Sequence, residues 1–367
     1  MSDRVVNFAS GPATLPVQVL KQVQRDLVSL PGIGISALEI SHRSAWFREV
    51  LDEADANLRA LLGVPGSHRI IFCQGGATQQ FSMVPMNLLR ETGRTAEYVV
   101  TGTWGAKAVR EAEKEGSTRT VWTGAAEGFT RVPSADGWSA APDAAYLHIT
   151  TNETIEGVQW LAPPDPPGAG VPIVADMSSD FLSRPLDLNG LGLVYAGAQK
   201  NAGPAGVTIV IVREDLLERV PRDLPTMLDY RTFVEHGSLY NTPPVFAIYV
   251  LTLVTRWLRD EVGGLDEQDR RNRAKAAALY ESIDGSDGFY RGHADPASRS
   301  LMNVTFRLPD EDLDARFVTD AAERGLAQLK GHRSVGGVRA SIYNALPLED
   351  VEALATFMHE FRERHGA

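Results

Sequence analysis

Apolar runs alternate with helical patterns through the first two thirds of the chain. Strand-like runs fall at 69–73, 97–101, 119–122, 145–149, 172–175, 193–196 and 207–212. Several are nearly continuous in Val, Ile and Leu, which suits strands buried on both faces. Amphipathic stretches lie between them. Over 46–62 the residues Phe47, Val50, Leu51, Ala54, Leu58, Leu61 and Leu62 recur at three and four, and Gly63 follows as a stop. Alternation of this kind predicts an α/β fold, a mostly parallel sheet covered by helices.

The pattern changes after about residue 255. A charged segment, 259–275, opens a long helical reading. A Gly-rich turn at 284–288, a strand at 302–308, a helix ending near Gly325, a strand at 338–343 and a helix at 348–364 follow. This predicts a smaller C-terminal α+β domain, 258–367, joined by the N-terminal segment 1–15, beside a large domain of 16–257. The Pro-rich stretch 163–172 reads as a loop, because strand signals resume on both sides.

Charge narrows the partners. Lys plus Arg number 36 and Asp plus Glu 47, a net charge of −11. An acidic chain lacks the basic face that nucleic acid or an anionic membrane requires. The most apolar stretch, 245–254, is far short of the roughly 20 residues of a membrane span. One cysteine, Cys73, permits no intramolecular disulfide and no multi-thiolate zinc site. With no signal pattern in the first twenty residues, a cytoplasmic protein is expected.

Three places carry candidate chemistry. Gln74-Gly75-Gly76-Ala77-Thr78-Gln79 follows a strand and opens a helix. Small residues there let backbone amides approach an anion at a positive helix end. Asp176 ends a strand-like run, where parallel sheets face their ligand crevice, and a carboxylate there can hold a protonated ring nitrogen. Lys200 follows another strand and sits among Gly197, Ala198, Ala202 and Gly203. A desolvated lysine has a lowered pKa and forms a Schiff base. Singly, each has an ordinary explanation: a strand-to-helix turn, a helix cap, a solvated loop lysine. In this order on one α/β domain they match what pyridoxal phosphate (PLP) needs for its phosphate, its pyridinium and its aldehyde. Trp104, after the strand near 101, is placed to stack on the ring or simply to pack.

The chain resembles the phosphoserine aminotransferase family, PLP enzymes of the class V aminotransferase group and fold type I. The resemblance runs essentially end to end. It includes Asn7-Phe8-Ala9-Ser10-Gly11-Pro12-Ala13, Glu39-Ile40-Ser41-His42-Arg43-Ser44, Thr101-Gly102-Thr103-Trp104 and Asn152-Glu153-Thr154-Ile155-Glu156-Gly157. It continues through Ala175-Asp176-Met177-Ser178-Ser179, Ala198-Gln199-Lys200-Asn201 and Asn241-Thr242-Pro243-Pro244 to the most specific block, Gly331 to Asn344.

The resemblance implies a seven-stranded, mostly parallel sheet and a composite active site in a homodimer. Lys200 would hold PLP as a Schiff base and move the substrate proton, with Asp176 on the pyridine nitrogen. Trp104 would stack on the ring, and Thr154 would bond the phenolic oxygen. Gly76, Ala77, Thr78 and Gln199 would contact the phosphate, joined by Asn241 and Thr242 of the second subunit. Family members often carry Ser or Arg where this chain has Thr78, a change that a backbone contact survives. Arg339 would take the substrate α-carboxylate. His42 and Arg43 of the second subunit, with His332 and Arg333, would take the phosphate or the distal carboxylate of glutamate. The implied reaction interconverts phosphoserine plus 2-oxoglutarate with phosphohydroxypyruvate plus glutamate, a ping-pong step of serine biosynthesis. Bacterial members of the family also act on phosphohydroxythreonine in vitamin B6 synthesis.

The competing readings are weaker. Another class V aminotransferase, such as an alanine–glyoxylate type, would not need the His-Arg pairs. A cysteine desulfurase would need its thiol on a mobile loop, whereas Cys73 lies in a strand-like run. A nucleotide-dependent oxidoreductase lacks its GxGxxG. A metal hydrolase lacks HExxH, since His359, Glu360 and His365 are wrongly spaced. A non-catalytic relic would have no reason to retain Lys200, Asp176 and the basic loop.

Overall fold

The computed structural model describes residues 4–166 and 170–366. The loop expected over 163–172 is described at its two ends, and its centre, 167–169, lies outside the described residues.

Seven strands form the central sheet in the order His68–Cys73, Thr208–Arg213, Leu191–Gly197, Ile173–Asp176, Tyr146–Thr150, Thr95–Val100 and Ser117–Thr123. Thr208–Arg213 runs antiparallel to both neighbours, and the other pairs are parallel. The sheet is thus mostly parallel, as the near-continuous apolar runs predicted. Side chains alternate across it with period two. Ile209 and Ile211 enter the apolar cluster on one face, and Val210 and Val212 enter the cluster on the other.

Each face is covered by helices. Ala45–Leu62 and Val245–Trp257 pack on the first, Gly76–Leu88 and Thr103–Ala112 on the second. Ser44 caps the Ala45–Leu62 helix by accepting from the Phe47 N–H, and Gly63 ends it with a left-handed turn. The most apolar stretch of the sequence is the Val245–Trp257 helix, almost wholly buried. The polar Thr252 is tolerated there because its hydroxyl donates to the Val50 and Ile248 carbonyls. No helix of the described residues is long and apolar enough to cross a membrane.

The long helical reading over 259–275 needs correction. A wide turn, Leu258–Val262, is followed by Gly263 and Gly264, both with positive φ, and the helix proper runs Leu265–Asp284. The glycine pair breaks what charge patterning alone joined.

Beyond it, Arg291–Gly292, Asn303–Arg307 and Val338–Ser341 form a small antiparallel sheet. The helices Leu265–Asp284, Glu311–Glu323 and Leu348–His365 contribute to one apolar cluster with it. Phe8 belongs to that cluster, and Val6–Asn7 pairs in parallel with Leu326–Ala327. Phe317 sits at its centre, with ring centroids of Tyr290, Phe306, Phe357 and Phe361 at 6.0, 5.8, 5.0 and 5.1 Å. Phe317→Ala is expected to cost about 3–5 kcal/mol. Denaturant unfolding of this variant should show a lower midpoint with an unchanged slope.

Candidate active site

The strands Tyr146–Thr150, Ile173–Asp176 and Leu191–Gly197 end together at the carboxyl edge of the sheet. A cavity of about 480 Å³ opens there. That is ample for a small ligand.

Lys200 lines the cavity on the turn after Leu191–Gly197. Its Nζ donates to Thr154 Oγ1 at 2.7 Å. Burial lowers its pKa to about 8, against the opposing pull of the Asp176 and Glu153 charges. A substantial fraction of a neutral amine is therefore present near physiological pH.

Asp176 ends its strand and is buried. Its Oδ1 accepts from the Ser178 N–H at 2.9 Å. Burial raises its pKa, while the Ser178 contacts and the Lys200 charge pull it down. A cation seated beside it would complete its ionisation.

The Gly76–Leu88 helix starts at the same cavity, and Gly76, Ala77 and Thr78 line it. Gly75 precedes the helix with φ 87°, and no side chain caps it. Its first N–H groups face a ligand site with the positive end of the dipole behind them.

Trp104, in the first turn of Thr103–Ala112, forms another wall. Its ring centroid is 6.0 Å from Lys200 Nζ, and Lys107 Nζ lies 4.1 Å from it. Its indole Nε1 is buried with no hydrogen-bond partner among the described residues.

The cationic end of the cavity holds Arg339 and His332. Arg339 lies on Val338–Ser341, and its Nη2 donates to Ser10 Oγ at 2.8 Å. No ion pair engages it among the described residues. A largely desolvated guanidinium without a carboxylate is costly unless an anionic ligand arrives. His332 stands on a loop that closes on itself, with Gly331 N donating to Gly337 O at 2.9 Å. A Cβ at Gly331 would lie 2.0 Å from the Gly336 carbonyl oxygen, so this turn requires glycine. Burial lowers the His332 pKa, aided by the charges of Arg339, Arg333 and Lys107.

The cavity thus gathers Gly76, Ala77, Thr78, Trp104, Thr154, Asp176, Gln199, Lys200, His332 and Arg339. His42, Arg43, Asn241, Thr242 and Arg333 do not line it in the single chain. Arg43, Thr242 and Arg333 are exposed, and His42 and Asn241 are half-buried.

Other lining residues escaped the sequence reading, among them Ser10, Thr150, Asn152 and Ser178. Ser10 and Gly11 arrive from the chain's N-terminal segment, pressed onto the lysine turn. Ala13 N donates to Gln199 O at 2.9 Å. Gly11 has φ +133°, and a Cβ there would lie 3.4 Å from Lys200 Cγ.

Competitive labelling with acetic anhydride should give Lys200 a reactivity midpoint near pH 8 in ligand-free protein, well below the 10.5 of an ordinary lysine. Asp176→Asn removes a negative charge that favours the ammonium, so the midpoint should move lower still.

A family model for class-V aminotransferases matches residues 5–354. Phosphoserine aminotransferase of Rhodopirellula baltica is 52% identical over 364 residues, covering 99% of this chain and 96% of its own. That of Geobacillus kaustophilus is 55% identical over 361 residues, covering 98% and 99%. Among solved structures, phosphoserine aminotransferase from Bacillus circulans subsp. alkalophilus matches with a TM-score of 0.96 at 52% identity, over 100% of both chains. PLP-bound phosphoserine aminotransferase from Trichomonas vaginalis gives a TM-score of 0.91 at 40% identity, over 97% of this chain and 100% of that one. The chain belongs to the class-V aminotransferases and, among them, to the phosphoserine aminotransferase family.

Proposed function

We propose that this chain is a PLP-dependent transaminase that interconverts O-phospho-L-serine plus 2-oxoglutarate with 3-phosphohydroxypyruvate plus L-glutamate, in serine biosynthesis. The observation that carries the reading is the convergence of Lys200, Asp176, an uncapped helix start and the unpaired Arg339 on one cavity. The donor set fits PLP part by part. The N–H groups at Gly76, Ala77 and Thr78, with Gln199, would hold the phosphate. The Asp176 carboxylate would pair with the ring nitrogen, Trp104 would cover the ring, and Thr154 would face the phenolic oxygen. When bound, PLP supplies an aldehyde that condenses with amines and a conjugated ring that takes up electrons released at the α-carbon.

The chain's own residues do the rest. Lys200 Nζ, with a pKa of about 8, is the base that removes the substrate α-proton and the acid that returns a proton. Thr154 Oγ1 orients that amine through its hydrogen bond. Arg339 grips the α-carboxylate that phosphoserine and glutamate share, with Ser10 fixing the guanidinium. His332 and Arg333 serve the phosphate or the distal carboxylate. His42, Arg43, Asn241 and Thr242 belong to the same proposal as groups supplied by a second subunit. The exposed apolar side chains Leu27, Val28, Ile33, Ile35 and Leu38, in the segment preceding His42, support a homodimer. The division into 16–257 and 258–367 with 1–15 is supported by Phe8 joining the apolar cluster of 276–361. A reducing cytoplasm is supported by the single thiol, Cys73, whose pKa burial pushes up.

The absorption spectrum of the PLP-loaded protein tests the reading. Phosphoserine should bleach the yellow band, with unphosphorylated serine far weaker. An equal response to serine would overturn the substrate and leave the transaminase. Lys200→Ala should abolish turnover. Arg339→Ala should lower kcat/KM by about 10²-fold for phosphoserine and glutamate alike, the scale of a lost charged hydrogen-bond pair.

A further inference from the structure

Two helices point their N-termini toward the cavity, and they are finished differently. The Gly76–Leu88 helix has no side-chain cap. The Thr103–Ala112 helix has the free N–H groups of its first turn taken by two carboxylates. Glu153 accepts from Trp104 N at 3.0 Å and Gly105 N at 2.9 Å, one to each oxygen. Glu156 Oε1 accepts from Thr103 N at 3.0 Å and from the Thr103 hydroxyl. Both carboxylates are buried, and neither makes an ion pair among the described residues.

This is an expensive way to end a helix. The usual device is a Ser or Asp at the capping position, whose side chain accepts from one of these N–H groups. That position is Gly102, where a Cβ would lie 2.5 Å from the Glu153 carboxyl carbon. The local cap is given up so that Glu153 can enter. Burial holds the pKa of both carboxyl groups above the ordinary carboxylate range, the Glu156 charge adds to this at Glu153, and the hydrogen bonds from the helix oppose it only in part. The hydrogen bonds to the helix are thus what the two side chains are held for. One of the N–H groups gripped belongs to Trp104, whose ring lines the cavity.

We propose that Glu153 and Glu156 are positioning residues for Trp104, fixing the first turn of its helix so that the indole is held over the cofactor ring. By occupying the N–H groups of this helix start, they also leave the Gly76–Leu88 helix as the start that receives the cofactor phosphate. Neither touches substrate, and both act through Trp104. The inference rests on the cavity being the PLP site.

A double-mutant cycle on the full-length protein tests it. The dissociation constant for PLP and the cofactor absorption maximum are measured for Glu153→Ala, Glu156→Ala and Trp104→Ala, and for each Glu variant combined with Trp104→Ala. Each single Glu variant should weaken PLP binding by about three- to tenfold, the scale of an aromatic stacking contact, and shift the absorption maximum. In the Trp104→Ala background the same substitutions should change binding less than about twofold. Glu156→Gln keeps the accepting Oε1 and should restore near-native binding. It also carries the test, against Glu156→Ala, if Glu153→Ala does not fold. Equal losses with and without Trp104 would overturn the inference and leave a purely structural role. Wild-type protein that takes up no PLP would overturn the reading of the cavity itself, a separate result.

Discussion

A half-buried lysine amine, whose hydrogen-bond partner is a neutral hydroxyl, is the constraint on which this active site turns. Lys200 Nζ meets Thr154 Oγ1, and no carboxylate lies within ion-pair distance of it among the described residues. Had Asp176 closed on it as a salt bridge, the ammonium would be locked in and useless as a base. The sheet prevents this by assigning the two groups to different strand ends. Asp176 is the last residue of one strand, and its Oδ1 is turned to the Ser178 N–H. Lys200 stands three residues beyond the neighbouring strand, Leu191–Gly197. Charge is near enough to bias the amine and too far to neutralise it.

The rest of the cavity shows the same unfinished electrostatics. The protein is acidic overall, with a net charge of −11, yet Arg339 makes no ion pair among the described residues and His332 feels the charges of Arg339, Arg333 and Lys107. The Gly76–Leu88 helix offers bare N–H groups. Each is a group whose partner must come from outside the chain. In contrast, the first-turn N–H groups of the Thr103–Ala112 helix and the buried Asn152 are satisfied by internal contacts. A site for a dianionic cofactor and a doubly anionic substrate is built by withholding anions where ligands bind and supplying them elsewhere.

How much of this was legible in the sequence follows from where each signal resides. The sheet was readable because its strands are buried on both faces and carry continuous apolar runs. Asp176 and Lys200 were readable because each follows such a run, and strand ends are where parallel sheets place ligands. The break at Gly263 and Gly264 was hidden by charges that fit a helix on either side. Ser10 was not readable as a site residue, because its contact with Arg339 spans nearly the whole chain. Glu153 and Glu156 gave no local sign of capping a helix about fifty residues earlier. The roles of His42, Arg43, Asn241 and Thr242 rested on resemblance, and one chain alone does not bring them to the cavity.

The course of synthesis on the ribosome gives the strapped N-terminal segment another meaning. Ser10 and Gly11 are made some three hundred residues before part of their seat, Arg339, Tyr343 and the strand at Leu326–Ala327. The Gly76–Leu88 helix, Asp176 and Lys200 all emerge in between. A nascent chain therefore makes the lysine turn, to which Ala13 bonds, well before the strand that carries Arg339. The wall of the pocket is complete only when the segment at Ser10 meets Arg339 and Tyr343.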